Sequence, residues 1–251
     1  MLMRTKTLIR LFIEDATNLA LSVTVALSQA QSHYLANVMR LKAGDTVALF
    51  NGKDGEWSAE ITEAHKRAVT LKIMHQTKEQ IPEPDLWLVF APIKKARLDF
   101  IAQKATELGA SHLQPVYTQR TIVDRVKEER LQANAVEAAE QCERLTVPTV
   151  ADPVKLDKLL DTWPDERKIM FCDEDLSGVA AHDALRSAET KGSVSPWAIF
   201  IGPEGGFTDE ERARIKAHPN TVVVALGPRI LRADTAAMSA LALWQSALGD
   251  W

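Results

Sequence analysis

A change of hydrophobic period near residue 80 restricts this chain more than any other feature. Before it, "TLIRLFIED", "LALSVTVALS", "DTVALFNGKDGEWSAEITEA" and "AVTLKIMHQT" are short alternating or β-branched runs separated by Asp-Gly and Gly-Lys turn chemistry, the pattern of a small β-barrel. After it, strands and helices take turns: "DLWLVFAP", "KKARLDFIAQKATELG" with Gly109 as C-cap, "HLQPVYT", then a long helix through "EERLQANAVEAAEQCERL". "KIMFCDED", "PWAIFIG" and "TVVVAL" supply further strands, each followed by a helix, which predicts an α/β domain with a mainly parallel sheet. Between the two patterns, "TKEQIPEP" combines charge with two prolines, and each proline pushes its predecessor away from helix. The expected domains are a β-barrel over residues 1–78 and an α/β domain over 82–251. One helical insert, "SQAQSHYLANVMRL", interrupts the barrel, with Ser28 as its cap and Tyr34, Leu35, Val38 and Leu41 at helical spacing.

Composition removes several classes of function. A length of 251 residues, 46% of them hydrophobic, allows one large core or two ordinary ones. No run of 18 apolar residues occurs, and "MLMRTKTLIRLFIED" lacks the apolar segment and cleavage site of a signal peptide, so a cytoplasmic location without membrane attachment is expected. Cys142 and Cys172 are too few for a disulfide framework or a zinc cluster, and the six histidines form no metal-binding pair; no metal is expected. The net charge of −4 argues against a protein that coats nucleic acid indiscriminately. The charge is divided, however: residues 1 to 80 hold 10 Lys and Arg against 8 Asp and Glu, so the positive excess lies at the front.

Ligands of open α/β sheets bind at the C-terminal ends of strands, where two glycine loops fall: "IFIGPEGGF" and "VALGPRILR". Neither is GxGxxG and no GxxxxGK[ST] occurs, so phosphate-cradling sites are unsupported. Glycines at 202, 205 and 206 allow close backbone approach to a ligand, and Pro203 and Pro228 stiffen the turns. Backbone recognition suits an adenine ring. Ordinary strand-to-helix turns are the alternative for either loop taken alone. "CDEDL", residues 172 to 176, is read as a solvated turn.

"IGPEGGFTDEE" and "LGPRILRADTAAMSAL" resemble the two C-terminal signatures of the ribosomal RNA small-subunit (16S) uridine-N3 methyltransferase family, of the SPOUT class. The resemblance extends to "IAQKATELG", "EAAEQCERLTVP" and, more weakly, "IRLF" and "HYLANVMRLKAGD", and so covers nearly the whole chain. The family usually has glutamate where this chain has Asp234, and often threonine where it has Ala233. The resemblance implies an N-terminal PUA-like β-barrel that binds RNA and a C-terminal SPOUT α/β domain with a deep trefoil knot, a feature otherwise nearly absent from proteins. It implies S-adenosyl-L-methionine as cofactor, held by Ile201, Gly202, Pro203, Glu204, Gly205 and Gly206 in one loop and by Leu226, Gly227, Pro228, Ile230, Leu231, Thr235 and Ala236 around the other. It also implies a homodimer, and the near-continuous apolar circumference of "TAAMSALALWQSAL" likewise requires covering on every side.

Methylation at uracil N3 removes a proton and spreads negative charge toward two carbonyl oxygens. Guanidinium groups stay ionised and donate forked hydrogen bonds to such an anion but cannot act as base at neutral pH. Arg229 and Arg232 are therefore candidates for charge stabilisation, with Glu140 and Asp234 completing the candidate catalytic set. Bonds to helix or knot carbonyls are the structural alternative for the arginines. Gln141 and Arg144, near Glu140 on one helix, and Lys104 are candidates to face RNA, while Arg10, Arg40 and Lys42 of the barrel are candidates to meet phosphates. Ordinary surface charge is the competing role for each. Two other functions fit the same residues: a SPOUT methyltransferase with another RNA target, and a non-catalytic ribosome assembly factor that only binds RNA. The nucleosides methylated and binding of the cofactor distinguish the three.

Overall fold

The computed structural model describes residues 8–14, 18–65, 67–175, 178–188 and 195–251. The opening "MLMRTKT" and Leu176 of "CDEDL" lie outside them. The chain divides into two compact units: one runs up to Pro82 and includes Ala139–Thr146, the other comprises Glu83–Ala138 and Val147–Trp251.

The first unit contains β1 (Arg10–Phe12), β2 (Thr24–Ala26), α1 (Gln29–His33), β3 (Thr46–Phe50), β4 (Glu56–His65) and β5 (Ala68–Lys78). Its sheet has the order β1-β3-β4-β5-β2, with β1 parallel to β3 and the other neighbours antiparallel. Period-two patterning drives β5: Val69, Leu71 and Ile73 point into the core with Val47, Leu49 and Ile61, while Thr70 and Lys72 do not. Ser28 caps α1 through a reciprocal capping box with Gln31. The expected α-helical spacing across Tyr34–Leu41 is interrupted by a π turn, Tyr34–Val38. Its extra residue rotates the face, so Leu35 is buried while Val38 is 58% exposed.

The second unit contains β6 (Leu86–Phe90), α2 (Lys95–Glu107), β7 (His112–Tyr117), α3 (Glu128–Cys142, its end counted with the first unit), β8 (Thr149–Val150), β9 (Val154–Lys155) and α4 (Leu156–Asp161). There follow β10 (Lys168–Cys172), β11 (Val179–Ala180), α5 (Ala181–Ala188), β12 (Trp197–Ile201), α6 (Asp209–Ala217), β13 (Thr221–Ala225) and α7 (Ala233–Leu248). The sheet order is β11-β13-β10-β12-β6-β7-β8, with β9 also on β7, and every ladder is parallel. Strand β12 is buried along its whole length, as expected for a parallel strand covered on both faces. Ile199 and Ile201 pack with Ile101, Ala105, Leu241 and Trp244 of α2 and α7. Ala198 and Phe200 face the other way, against Trp163, Phe207 and Ile215. Because β12 inserts between β10 and β6, both earlier in the chain, the strand order reverses there and opens a crevice at the C-terminal strand ends.

Candidate functional site

Three strand ends build the site. After Ile201, the loop from Gly202 turns back at Gly206, whose N–H donates to the Pro203 carbonyl at 2.9 Å. Gly206 has φ +70°, a conformation that side chains disfavour. The Phe207 ring lies so near Gly202 that a Cβ there would press on it. Thr208 then starts α6 with a capping box to Glu211, whose second carboxylate oxygen accepts from the Gln119 N–H at 2.8 Å. After β13 the chain passes through Leu226–Leu231, and Arg232 is the N-cap of α7 without a side-chain cap bond.

Two adjoining cavities, of about 240 and 50 Å³, lie between these loops and share Cys172, Glu174, Ile230, Leu231 and Ala236. The larger is bounded by Ile201, Gly202, Pro203, Glu204 and Gly206 on one side and by Ile230, Leu231, Arg232 and Ala233 on the other. The smaller adds Leu226 and Arg229. The structure thus brings most of the proposed cofactor residues to one pocket. Gly205, Gly227, Pro228 and Thr235 are not on its walls; the Gly205 carbonyl instead accepts from Arg120 at 2.9 Å.

The walls also contain Cys172, Asp173 and Glu174, which corrects the expectation of a solvated turn in "CDEDL". Asp173 has no exposed side-chain surface and bonds Arg212 at 2.8 Å and Lys216 at 2.6 Å. These cations belong to α6, so a sequence view confined to the acidic run hides its burial. The usable signal was position: the run directly follows a parallel strand, where ligand loops gather. Burial pushes the Cys172 thiol well above its ordinary range, so it serves as an inert wall. Bonding to Asp173 raises the Lys216 ammonium above its usual value.

Arg229 and Arg232 sit exposed at the rim, and among the described residues their guanidinium groups have no hydrogen bond or ion pair. Two cations thus stand at the mouth of a pocket whose walls also carry the Glu174 and Glu204 carboxylates. Asp234 points elsewhere: its carboxylate lies 3.8 Å from Arg97 of α2 and also accepts from the Thr235 N–H.

In the first unit, Arg10, Glu140 and Arg144 come together, in an arrangement that corrects the surface role expected for Arg10. Arg10 is 8% exposed; its Nε donates to Glu56 at 2.6 Å and its terminal nitrogens to the Ala139, Glu140 and Arg144 carbonyls. Glu140 accepts from the Phe12 N–H at 3.0 Å, and Arg144 Nε donates to Thr146 at 3.0 Å. The guanidinium is thereby spent on the interior. Arg40, Lys42 and Gln141 are exposed, Arg40 with φ 58° just after the π turn. Lys104 of α2 donates to both oxygens of Glu107, at 2.7 and 2.8 Å.

Comparison with known proteins matches this architecture. A model described as RNA methyltransferase domain covers residues 80–245, and one described as RNA methyltransferase PUA domain covers residues 27–74. Ribosomal RNA small subunit methyltransferase E of Synechocystis sp. is 36% identical, across 88% of this chain and 73% of that protein. Its namesake from Rickettsia conorii is 33% identical across 84% of each. The crystal structure of the Neisseria gonorrhoeae protein of that name, bound to S-adenosyl methionine, superposes with a TM-score of 0.85 at 28% identity, covering 97% of this chain and 99% of that one. A putative methyltransferase from Legionella pneumophila, in complex with the same cofactor, gives a TM-score of 0.84 at 29% identity with the same coverage. The glycine-loop pocket, the fold around it and these relatives lead to one conclusion: the chain belongs to the ribosomal RNA small subunit methyltransferase E family.

Proposed function

We propose that this protein transfers a methyl group from S-adenosyl-L-methionine to N3 of a uridine in 16S ribosomal RNA of the small subunit. The carrying observation is the pocket at the ends of β10, β12 and β13 with two arginines on its rim that are unpaired among the described residues. The residues present fit the cofactor: Ile201, Ile230, Leu231 and Ala236 offer apolar surface to a purine, and Gly202 and Gly206 line the pocket without side chains to fill it. Relatives with 28% and 29% identity over nearly the whole chain carry that cofactor. When bound, it supplies an electrophilic methyl on a sulfonium.

The chain's own residues then position and stabilise. Loss of the N3 proton to solvent water leaves negative charge spread over the uracil oxygens, and that charge would be consumed as N3 takes the methyl group from the sulfonium, which would depart as a neutral thioether. Arg229 and Arg232 hold that charge with forked donors that stay ionised at neutral pH. A sulfonium methyl needs placement rather than a Lewis acid, so no metal takes part. Residues 1–78 act as a PUA-like barrel in which exposed Arg40 and Lys42 meet phosphates, and residues 82–251 act as a SPOUT domain with a trefoil knot. The enzyme works in the cytoplasm as a homodimer.

Calorimetry with S-adenosylmethionine and mass spectrometry of ribosomal RNA nucleosides from cells lacking the gene test this function. Micromolar binding and loss of 3-methyluridine from small-subunit RNA are expected. Loss of a different methylated nucleoside would assign another RNA target, and absence of cofactor binding would leave only an assembly role.

A further inference from the structure

We propose that Glu174 is a positioning residue that latches the glycine loop in the shape the cofactor requires. The inference rests on the assignment of this pocket to S-adenosylmethionine. Glu174 stands at the end of β10, on the wall of both cavities. Its Oε1 accepts from the Phe207 N–H at 3.0 Å and from the Arg212 guanidinium. Contact with the loop is so close that a Cβ at Gly206 would collide with the carboxylate. Arg212 is itself oriented by buried Asp173 at 2.8 Å. Arg120 secures the same loop through the Gly205 carbonyl at 2.9 Å and the Phe207 carbonyl at 3.3 Å.

Charged side chains from outside the loop therefore fix its backbone. A segment with adjacent glycines has many conformations when released, and ordering it would fall to the cofactor as lost affinity. The apparent dissociation constant rises in proportion as the competent loop conformation becomes less populated. Once cofactor saturates the site the loop is ordered again, so the effect falls on affinity more than on the chemical step.

The test uses the full-length protein and the variants E174A and E174Q. Calorimetry with S-adenosylmethionine should show about a 10-fold to 100-fold weaker dissociation constant for E174A, the range of one hydrogen bond to a charged group. The loss should fall on the KM for the cofactor more than on kcat. E174Q retains shape and an acceptor oxygen for Phe207, and should recover most of the affinity. Amide hydrogen exchange without cofactor should be faster across residues 203–208 in E174A and near wild type in E174Q. Unchanged affinity in E174A would overturn the latch. So would weakened affinity with unchanged loop exchange, since Glu174 would then touch the ligand rather than position the loop. A general fall in thermal stability with exchange raised throughout the second unit, shared by E174Q, would overturn it in favour of a folding role. Wild-type protein that binds no S-adenosylmethionine would instead overturn the cofactor assignment itself, whatever the exchange data show.

Discussion

At the scale of single residues, a side chain's type is written in the sequence but its partners are not. Arg229 and Arg232 are candidates because guanidinium stays ionised and donates forked hydrogen bonds, and among the described residues both stand unpaired at the pocket rim. Arg10 belongs to the same residue type yet lies inside, bonded to Glu56 and to carbonyls more than a hundred residues away in sequence. If Arg232 stabilises charge that appears only as reaction proceeds, its removal lowers turnover more than binding. Arg232→Ala should lose about 100-fold to 1,000-fold in single-turnover methylation of small-subunit particles. Cofactor affinity, measured separately, should stay close to wild type. Arg232→Lys keeps the charge without the planar fork, and its rate reports how much geometry contributes. An alanine variant with a normal methyl-transfer rate would remove Arg232 from the chemistry.

At the scale of elements, caps and periods carried over well, whereas packing between elements did not. Gly109 ends α2 with φ +81°, and the Gln245 side chain of α7 packs over it while donating to the Leu108 carbonyl at 3.0 Å. A methyl group there would meet both the strained backbone and Gln245. Gly109→Ala should therefore cost about 1 to 3 kcal/mol in urea unfolding. A loss of a few tenths would show that α7 readily shifts. A pH effect belongs to β7. His112 lies beneath Trp87, with ring centroids 4.4 Å apart, and burial is the main reason its basicity falls below the ordinary 6.5. The unfolded chain then takes up a proton that the native imidazole refuses. This stability contribution is complete above pH 6.5 and is lost as pH falls through that value toward the lower native one. Between pH 7.5 and 5.5, the urea midpoint of wild type should drop more than that of His112→Gln. Equal drops would assign the acid sensitivity to other groups.

At the scale of the whole molecule, a parallel sheet with a reversal in strand order explains why three loops far apart in sequence share one pocket. Strand β12 enters between β10 and β6, and the loops following β10, β12 and β13 meet at one end of the sheet. Helix α7 covers that sheet with Ala237, Ala240, Leu241 and Trp244, while Met238, Ala242 and Leu243 stay only partly covered. Sedimentation velocity at micromolar concentration should therefore show a dimer, which buries the remaining apolar face. A stable monomer would refute that assembly. No helix among the described residues is long and apolar enough to cross a membrane.

The sequence by itself determined most of the strands and helices, where the pattern changes near residue 80, and that two glycine loops end strands. These depend on local period, caps and turn residues, all of which act over a few positions. The π turn at Tyr34–Val38 and the short β8, β9, β11 and α4 were not legible in the sequence. Strand order and partner choice required the tertiary structure, because they are settled by contacts between distant segments. "CDEDL" carries the same residues in either setting, yet Arg212 and Lys216 of α6 make Asp173 a buried anchor and Glu174 a wall of the pocket. A carboxylate shows its charge in the sequence; its burial depends on cations that only the fold can bring to it.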